Sequence, residues 1–186
     1  MLETQVLNII KGRKSTYPVQ FTGKKIPKQF VIELLKNANT APTHKMTQPW
    51  FFKVFSDKSK KYLANELIQI QNITNNELKE KLYNKFERTS HIICICMRKS
   101  EDVKIPEWEE IAATAMAVQN IWTSCVNSKN IGGYWSTPKN HEELRFFLKL
   151  KPNEVCLGLF YLGLFKTHNI LNKNPKNIEK DIEWFE

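Results

Sequence analysis

Ala41-Pro42-Thr43-His44-Lys45-Met46-Thr47-Gln48-Pro49-Trp50 concentrates hydrogen-bonding side chains between prolines and then runs into the apolar residues Phe51 and Phe52. A segment that only reverses the chain is served by Gly, Asn and Pro, with no demand for His, Gln and Trp so close together. It therefore reads as a ligand loop. A plain turn laid over a core Trp50 is the alternative that the local residues leave open.

Outward from this loop, helices and strands alternate with no internal repeat and no low-complexity linker. Before it, Pro27 opens a helix in which Phe30, Val31, Leu34, Leu35 and Ala38 form an apolar stripe. After it, Trp50 to Phe55 reads as a strand, Lys58 to Gln71 and Asn75 to Phe86 favour helix, and His91 to Met97 is an apolar run of strand length. Period two places Cys94 and Cys96 on one sheet face as small hydrophobes rather than as a redox pair, and none of Cys94, Cys96, Cys125 and Cys156 forms a Cys-x-x-Cys pair with zinc-site histidines. Pro106 opens the longest helix, running to about Ser128, with Ile111, Ala115, Val118 and Trp122 on one face. Asn140 with Glu143 has the spacing of a capping box for a helix bearing Leu144, Phe147 and Leu148, and Val155 to Leu162 is a final buried strand.

Near the start, an amphipathic segment with Val6, Ile9 and Ile10 on one face runs into Gly12-Arg13-Lys14-Ser15. An Arg fork, a Lys point charge and a hydroxyl together suit a phosphate dianion. Basic residues at a helix C-terminus also complement its dipole, which is the competing account of the same cluster.

At 186 residues the chain is expected to form one domain, 1–186. No apolar run reaches the roughly 20 residues of a membrane span, and the first residues lack the basic, apolar and small-residue order of a secretory signal, so a soluble cytoplasmic protein is expected. A net charge of +9 raises a nucleic-acid partner, but the lysines are spread along the chain and solvated helix faces account for them better. His44, His91, His141 and His168 stand apart in sequence, with no Asp or Ser placed for acyl transfer.

Together with Asn130-Ile131-Gly132-Gly133-Tyr134-Trp135-Ser136-Thr137-Pro138, the loop and the basic segment resemble the nitroreductase family of flavoproteins. The order is that of the family: an early basic pair with Ser, then Ala-Pro and Gln-Pro-Trp, then a long apolar helix running into Gly-Gly-x-Trp. The segment Ala41 to Trp50 and the segment Lys104-Ile105-Pro106-Glu107-Trp108-Glu109 are similar to the minimal YdjA-like subgroup.

The resemblance implies an α+β fold, a mixed and mostly antiparallel sheet flanked by helices, built as an intertwined homodimer with FMN at the subunit interface. It implies an oxidoreductase in which NAD(P)H reduces FMN by hydride transfer and a nitroaromatic, quinone or related acceptor is reduced in turn, in a ping-pong cycle. No catalytic side chain and no metal is required, because the flavin carries the redox chemistry. Carried over by position, Arg13, Lys14 and Ser15 hold the phosphate and ribityl end, Thr40 and His44 reach the FMN held mainly by the other subunit, Gln48 faces the flavin ring, and Ser136, Thr137 and Pro138 form a second FMN segment. Val126 to Ile131 corresponds to a nicotinamide segment, Lys166 adds a phosphate contact, and the tail from Thr167 to Glu186 lays Ile182, Trp184 and Phe185 on the partner. Lys14, Tyr17 and Thr40 stand where relatives often carry Arg, and Ser136-Thr137-Pro138 replaces a more usual Arg-Ser-Gly. A same-fold flavoenzyme of different reaction and a basic nucleic-acid-binding protein are the alternatives.

Overall fold

The computed structural model describes residues 3–128, 130–166 and 176–185. Its helices are α1 (Thr4–Gly12), α2 (Lys28–Ala38), α3 (Ser59–Ile70), α4 (Asn76–Arg88), α5 (Glu107–Ser124) and α6 (Leu144–Phe147). Its strands are β1 (Trp50–Ser56), β2 (His91–Arg98), β3 (Ile131–Ser136) and β4 (Glu154–Leu164), in the sheet order β1-β2-β4-β3. All strand pairings are antiparallel. Among the described residues the parallel contact is the bridge between Ser15 and Gly133.

Helices cover both faces of this sheet, which is why its central strands read as continuous apolar runs rather than as alternating ones. Ile93 and Ile95 of β2 and Phe160 and Leu162 of β4 enter one core with Val31 and Leu34 of α2 and Ala117, Val118 and Ile121 of α5. Ile92, Cys94 and Cys96 face the other way, into a core with Leu63 and Leu67 of α3, Phe86 of α4 and Leu144 of α6. Cys94 and Cys96 are buried free thiols on that common face. Hydrogen bonding to Cys156 and burial push both thiols up, which leaves them inert and protonated.

Two local expectations change, and the glycines Gly132 and Gly133 lie inside β3. Their role is close approach: a Cβ on Gly132 would come within 2.3 Å of Thr16 Oγ1, and one on Gly133 within 2.1 Å of the Phe160 ring. Helix α5 ends at Ser124, and its buried residues are Glu110, Ala113, Thr114, Ala117, Val118 and Ile121. Ile111 lies on the exposed side because α2 and the sheet meet the helix along a line rotated from the apolar stripe. Asn140 makes no capping box: it adopts a left-handed conformation, φ 55°, and its amide donates instead to Ile70 O at 3.2 Å.

Of the tail, residues 167–175 and 186 lie outside the described ones, while Ile182, Trp184 and Phe185 are exposed. Among the described residues no helix is long and apolar enough to cross a membrane.

Trp50 is buried at the start of β1, and its indole N–H donates to Asn39 Oδ1 at 3.1 Å, tying the end of the ligand loop to the end of α2. Trp50→Ala should therefore lose about 3–5 kcal/mol in urea unfolding, the range for removing a buried large aromatic side chain.

Candidate cofactor site

The basic segment is positioned by backbone geometry. Arg13 ends α1 in an extended conformation, φ −62° and ψ 124°, with its N–H still donating to Ile9 O. The chain then runs beside β3, where Ser15 bridges Gly133 and Thr16 N donates to Gly133 O at 2.9 Å. The same carbonyl accepts the Trp122 indole N–H, also at 2.9 Å. The Arg13 guanidinium lies 5.0 Å from the centre of the Trp122 ring, and the Lys14 ammonium 5.8 Å from that of Phe165. Each cation is thus held on an aromatic face, and among the described residues neither pairs with a carboxylate.

Gly12, Lys14 and Thr16 share a cavity of about 180 Å³ with Trp122, Val126 and Ile131. The structure thereby joins the expected phosphate segment to the expected nicotinamide segment. The cavity is smaller than the roughly 300–1,000 Å³ of a complete small-molecule site. Cys125 also lines it, with burial pushing its thiol up to about 12.

The loop is built differently. Lys45, Met46 and Gln48 are all left-handed, with φ of 48°, 57° and 44°, conformations that cost of order 1 kcal/mol or more for non-glycine residues. Side-chain contacts hold it in that shape. Thr43 and Thr47 share a hydroxyl hydrogen bond of 2.8 Å, Gln48 N donates to Thr43 Oγ1 at 3.2 Å, and His44 Nδ1 meets Glu109 Oε2 in the first turn of α5. Lys45 Nζ reaches Asp102 at 3.1 Å. The backbone N–H of Lys104, together with the Lys45 ammonium, holds the Asp102 carboxyl below the usual carboxylate range. The Gln48 side chain is left exposed.

Thr40 is tied to α5 as well, accepting from the Asn120 amide at 3.3 Å while its own hydroxyl donates to Asn37 O at 2.8 Å. Thr40 therefore lies near the Arg13 end of the helix. His44, at Glu109, lies about 20 Å along the axis from Trp122, at about 1.5 Å per residue. Ser136, Thr137 and Pro138 follow β3 past Gly133 by about 10 Å or more, and Thr137 Oγ1 donates to Leu157 O at 3.4 Å. Within one chain, then, Arg13, Lys14 and Ser15 gather with Val126, Ser128 and Ile131, Thr40 approaches the same end of α5, and His44, Gln48 and 136–138 stand apart.

Sequence reasoning missed Glu109, Asn120 and the carbonyl of Gly133 as positioning groups. Glu109 stood in the quoted Lys104 to Glu109 segment, but nothing in one dimension pairs it with His44. The other described histidines do not build a triad. His91 is buried against Ser90 Oγ at 2.9 Å, with burial pushing its imidazole down, and His141 pairs with its neighbour Glu142.

A comparison with known families matches residues 10–164 to the model of the Nitroreductase family. The chain belongs to the nitroreductase family. Two curated relatives agree with that assignment. "Putative NAD(P)H nitroreductase YfhC" of Bacillus subtilis is 25% identical over 163 residues, covering 84% of this chain and 82% of that protein. "Putative NAD(P)H nitroreductase YdjA" of Escherichia coli is 26% identical over 134 residues, covering 70% and 73%. In fold, the chain is similar to the nitroreductase-like family protein from Bacillus cereus, with a TM-score of 0.84, 24% identity and coverage of 100% and 98%. It is similar as well to iodotyrosine deiodinase bound to FMN and 3-iodo-L-tyrosine, with a TM-score of 0.69, 21% identity and coverage of 92% and 95%.

In this family member, Trp122→Phe keeps a ring beneath Arg13 but removes the donor to Gly133 O. The carbonyl retains Thr16 N, so urea unfolding should register a loss of only about 1 kcal/mol.

Proposed function

We propose that the protein is an FMN-dependent NAD(P)H oxidoreductase acting as a homodimer, with a nitroaromatic, quinone or related small molecule as electron acceptor. The observation that carries this reading is the Arg13, Lys14 and Ser15 segment on β3. Its cations rest on aromatic rings, without carboxylate partners among the described residues, beside a cavity shared with Val126, Ser128 and Ile131. That donor set fits a phosphate monoester: a guanidinium fork, an ammonium and a hydroxyl, already ordered before the ligand arrives. The names of YfhC and YdjA support the NAD(P)H part of the reading, and the FMN of the deiodinase supports the flavin part.

Bound FMN would supply the two-electron chemistry. The chain's own work is binding, orientation and exclusion of water. Arg13, Lys14 and Ser15 would hold the phosphate and ribityl end, and Ser136, Thr137 and Pro138, farther along β3, would hold a second part of an elongated ligand. Gln48 would present its amide to the ring, and Thr40 and His44 would complete the site of the other subunit. Reductant and acceptor would use one position in turn, which is a ping-pong cycle.

Two exposed apolar surfaces support the dimer. Helix α1 buries none of its residues although Val6 and Ile10 are apolar, and α5 exposes Trp108, Ile111 and Met116. Exposed apolar side chains grouped on helix faces are what a partner surface would cover. The separation of His44 from Arg13 along α5 agrees, since each half of the constellation would need the other copy.

Purified protein should be yellow, release FMN on denaturation and oxidise NAD(P)H when a quinone or nitroaromatic is supplied. Arg13→Ala should raise the FMN Kd by about ten- to a hundred-fold, the worth of a charge-assisted contact. An unchanged Kd would remove the phosphate assignment. Sedimentation at nanomolar concentration should find a dimer, and a stable flavin-bound monomer would refute the shared site.

A further inference from the structure

The ligand loop ends in a contact that the proposed binding roles do not explain. His44 Nδ1 meets Glu109 Oε2, and among the described residues no hydrogen bond reaches His44 Nε2. The side chain of His44 is 45% exposed and that of Glu109 25%. Pro42, Thr43, Trp108, Ala112 and Met116 line an open cleft beside them.

An ionised carboxylate only accepts hydrogen bonds, so a carboxylate at 109 selects the tautomer whose proton is on the nitrogen facing it. With Nδ1 protonated, the neutral ring has its lone pair on Nε2, the atom turned away from Glu109. The loop keeps that orientation through the Thr43–Thr47 hydrogen bond and the Lys45–Asp102 pair.

The charges around the ring decide what Nε2 can serve. From the loop comes Lys45, paired with Asp102; from the segment before α5 come Lys99, paired with Glu107, and Lys104, whose backbone N–H holds Asp102. From α5 come Glu109 and the buried Glu110, one oxygen of which accepts from Ser100 N at 2.8 Å. Lys45 and Lys99 are matched by their own carboxylates, and Lys104 is offset by Glu109 and the buried Glu110, so this end lacks the excess of cations found at Arg13 and Lys14.

We propose that Glu109 is a positioning residue: it fixes His44 as the Nδ1–H tautomer so that Nε2 accepts a hydrogen bond from a hydroxyl or ring N–H of the flavin, away from its phosphate. This rests on the FMN reading above.

Two measurements test it on the full chain. The first is the 15N spectrum of His44 in the flavin-free protein at alkaline pH. Wild type should give the Nδ1–H tautomer, Glu109→Ala should shift it towards the Nε2–H form that free imidazole side chains favour, and Glu109→Gln, whose amide oxygen still accepts, should restore it. Wild type already in the Nε2–H form overturns the proposal. The second is binding of FMN and of riboflavin, which lacks the phosphate. Glu109→Ala should weaken both by the same factor, about three- to ten-fold for one neutral hydrogen bond. Weakening of FMN alone would make His44 a phosphate contact, and no weakening of either would leave Glu109 without this role; each result overturns the proposal. If wild type bound neither flavin, the FMN reading and the ligand half of this proposal would fall together, while the tautomer spectrum would report separately on the Glu109–His44 contact.

Discussion

The carbonyl of Gly133 accepts from Thr16 N and from the Trp122 indole, both at 2.9 Å, and the positioning of the basic segment depends on that shared acceptor. It ties the exit of α1, the last turns of α5 and strand β3 to one atom. The arrangement requires glycine, because side chains at 132 and 133 would occupy the space of Thr16 and of the Phe160 ring. With the backbone bare, Ser15 and Thr16 lie directly on β3, and Arg13 is delivered onto Trp122.

Helix α5 organises the rest. Its inner face joins α2 and the central strands in one core, while residues outside that face meet each part of the constellation in turn: Glu109 meets His44, Asn120 meets Thr40 and Trp122 meets Arg13. Because a helix is rigid over this length, the loop and the basic segment are held at a set distance. One end presents cations on aromatic rings, and the other pairs a histidine with one carboxylate, so a net charge of +9 conceals two unlike environments.

Much of the fold was legible because it follows from short-range rules. The run from His91 to Met97 is apolar at every position except its first, so it reads as a strand buried on both faces, and its alternation sends Ile93 and Cys94 to opposite cores. Trp50 as an anchor was legible for a similar reason, since a large ring opening an apolar run has few other places to go. The Asn140 cap failed where the spacing was right but a stronger competitor existed: the free carbonyl of Ile70 at the end of α3 takes the amide.

The sequence by itself determined the alternation of helices and strands, the basic cluster after α1 and a polar loop ending in Trp50, all properties of residue type and spacing. Only the tertiary structure decided that Gly132 and Gly133 lie in a strand, which line of α5 is buried, and that Glu109 holds His44. Those outcomes depend on contacts between residues far apart in the chain: Gly133 and Phe160, α2 and α5, His44 and Glu109. Spacing along one segment carries no information about which distant surface will meet it, and it is that meeting which turns a glycine pair into a platform and a histidine into an oriented acceptor.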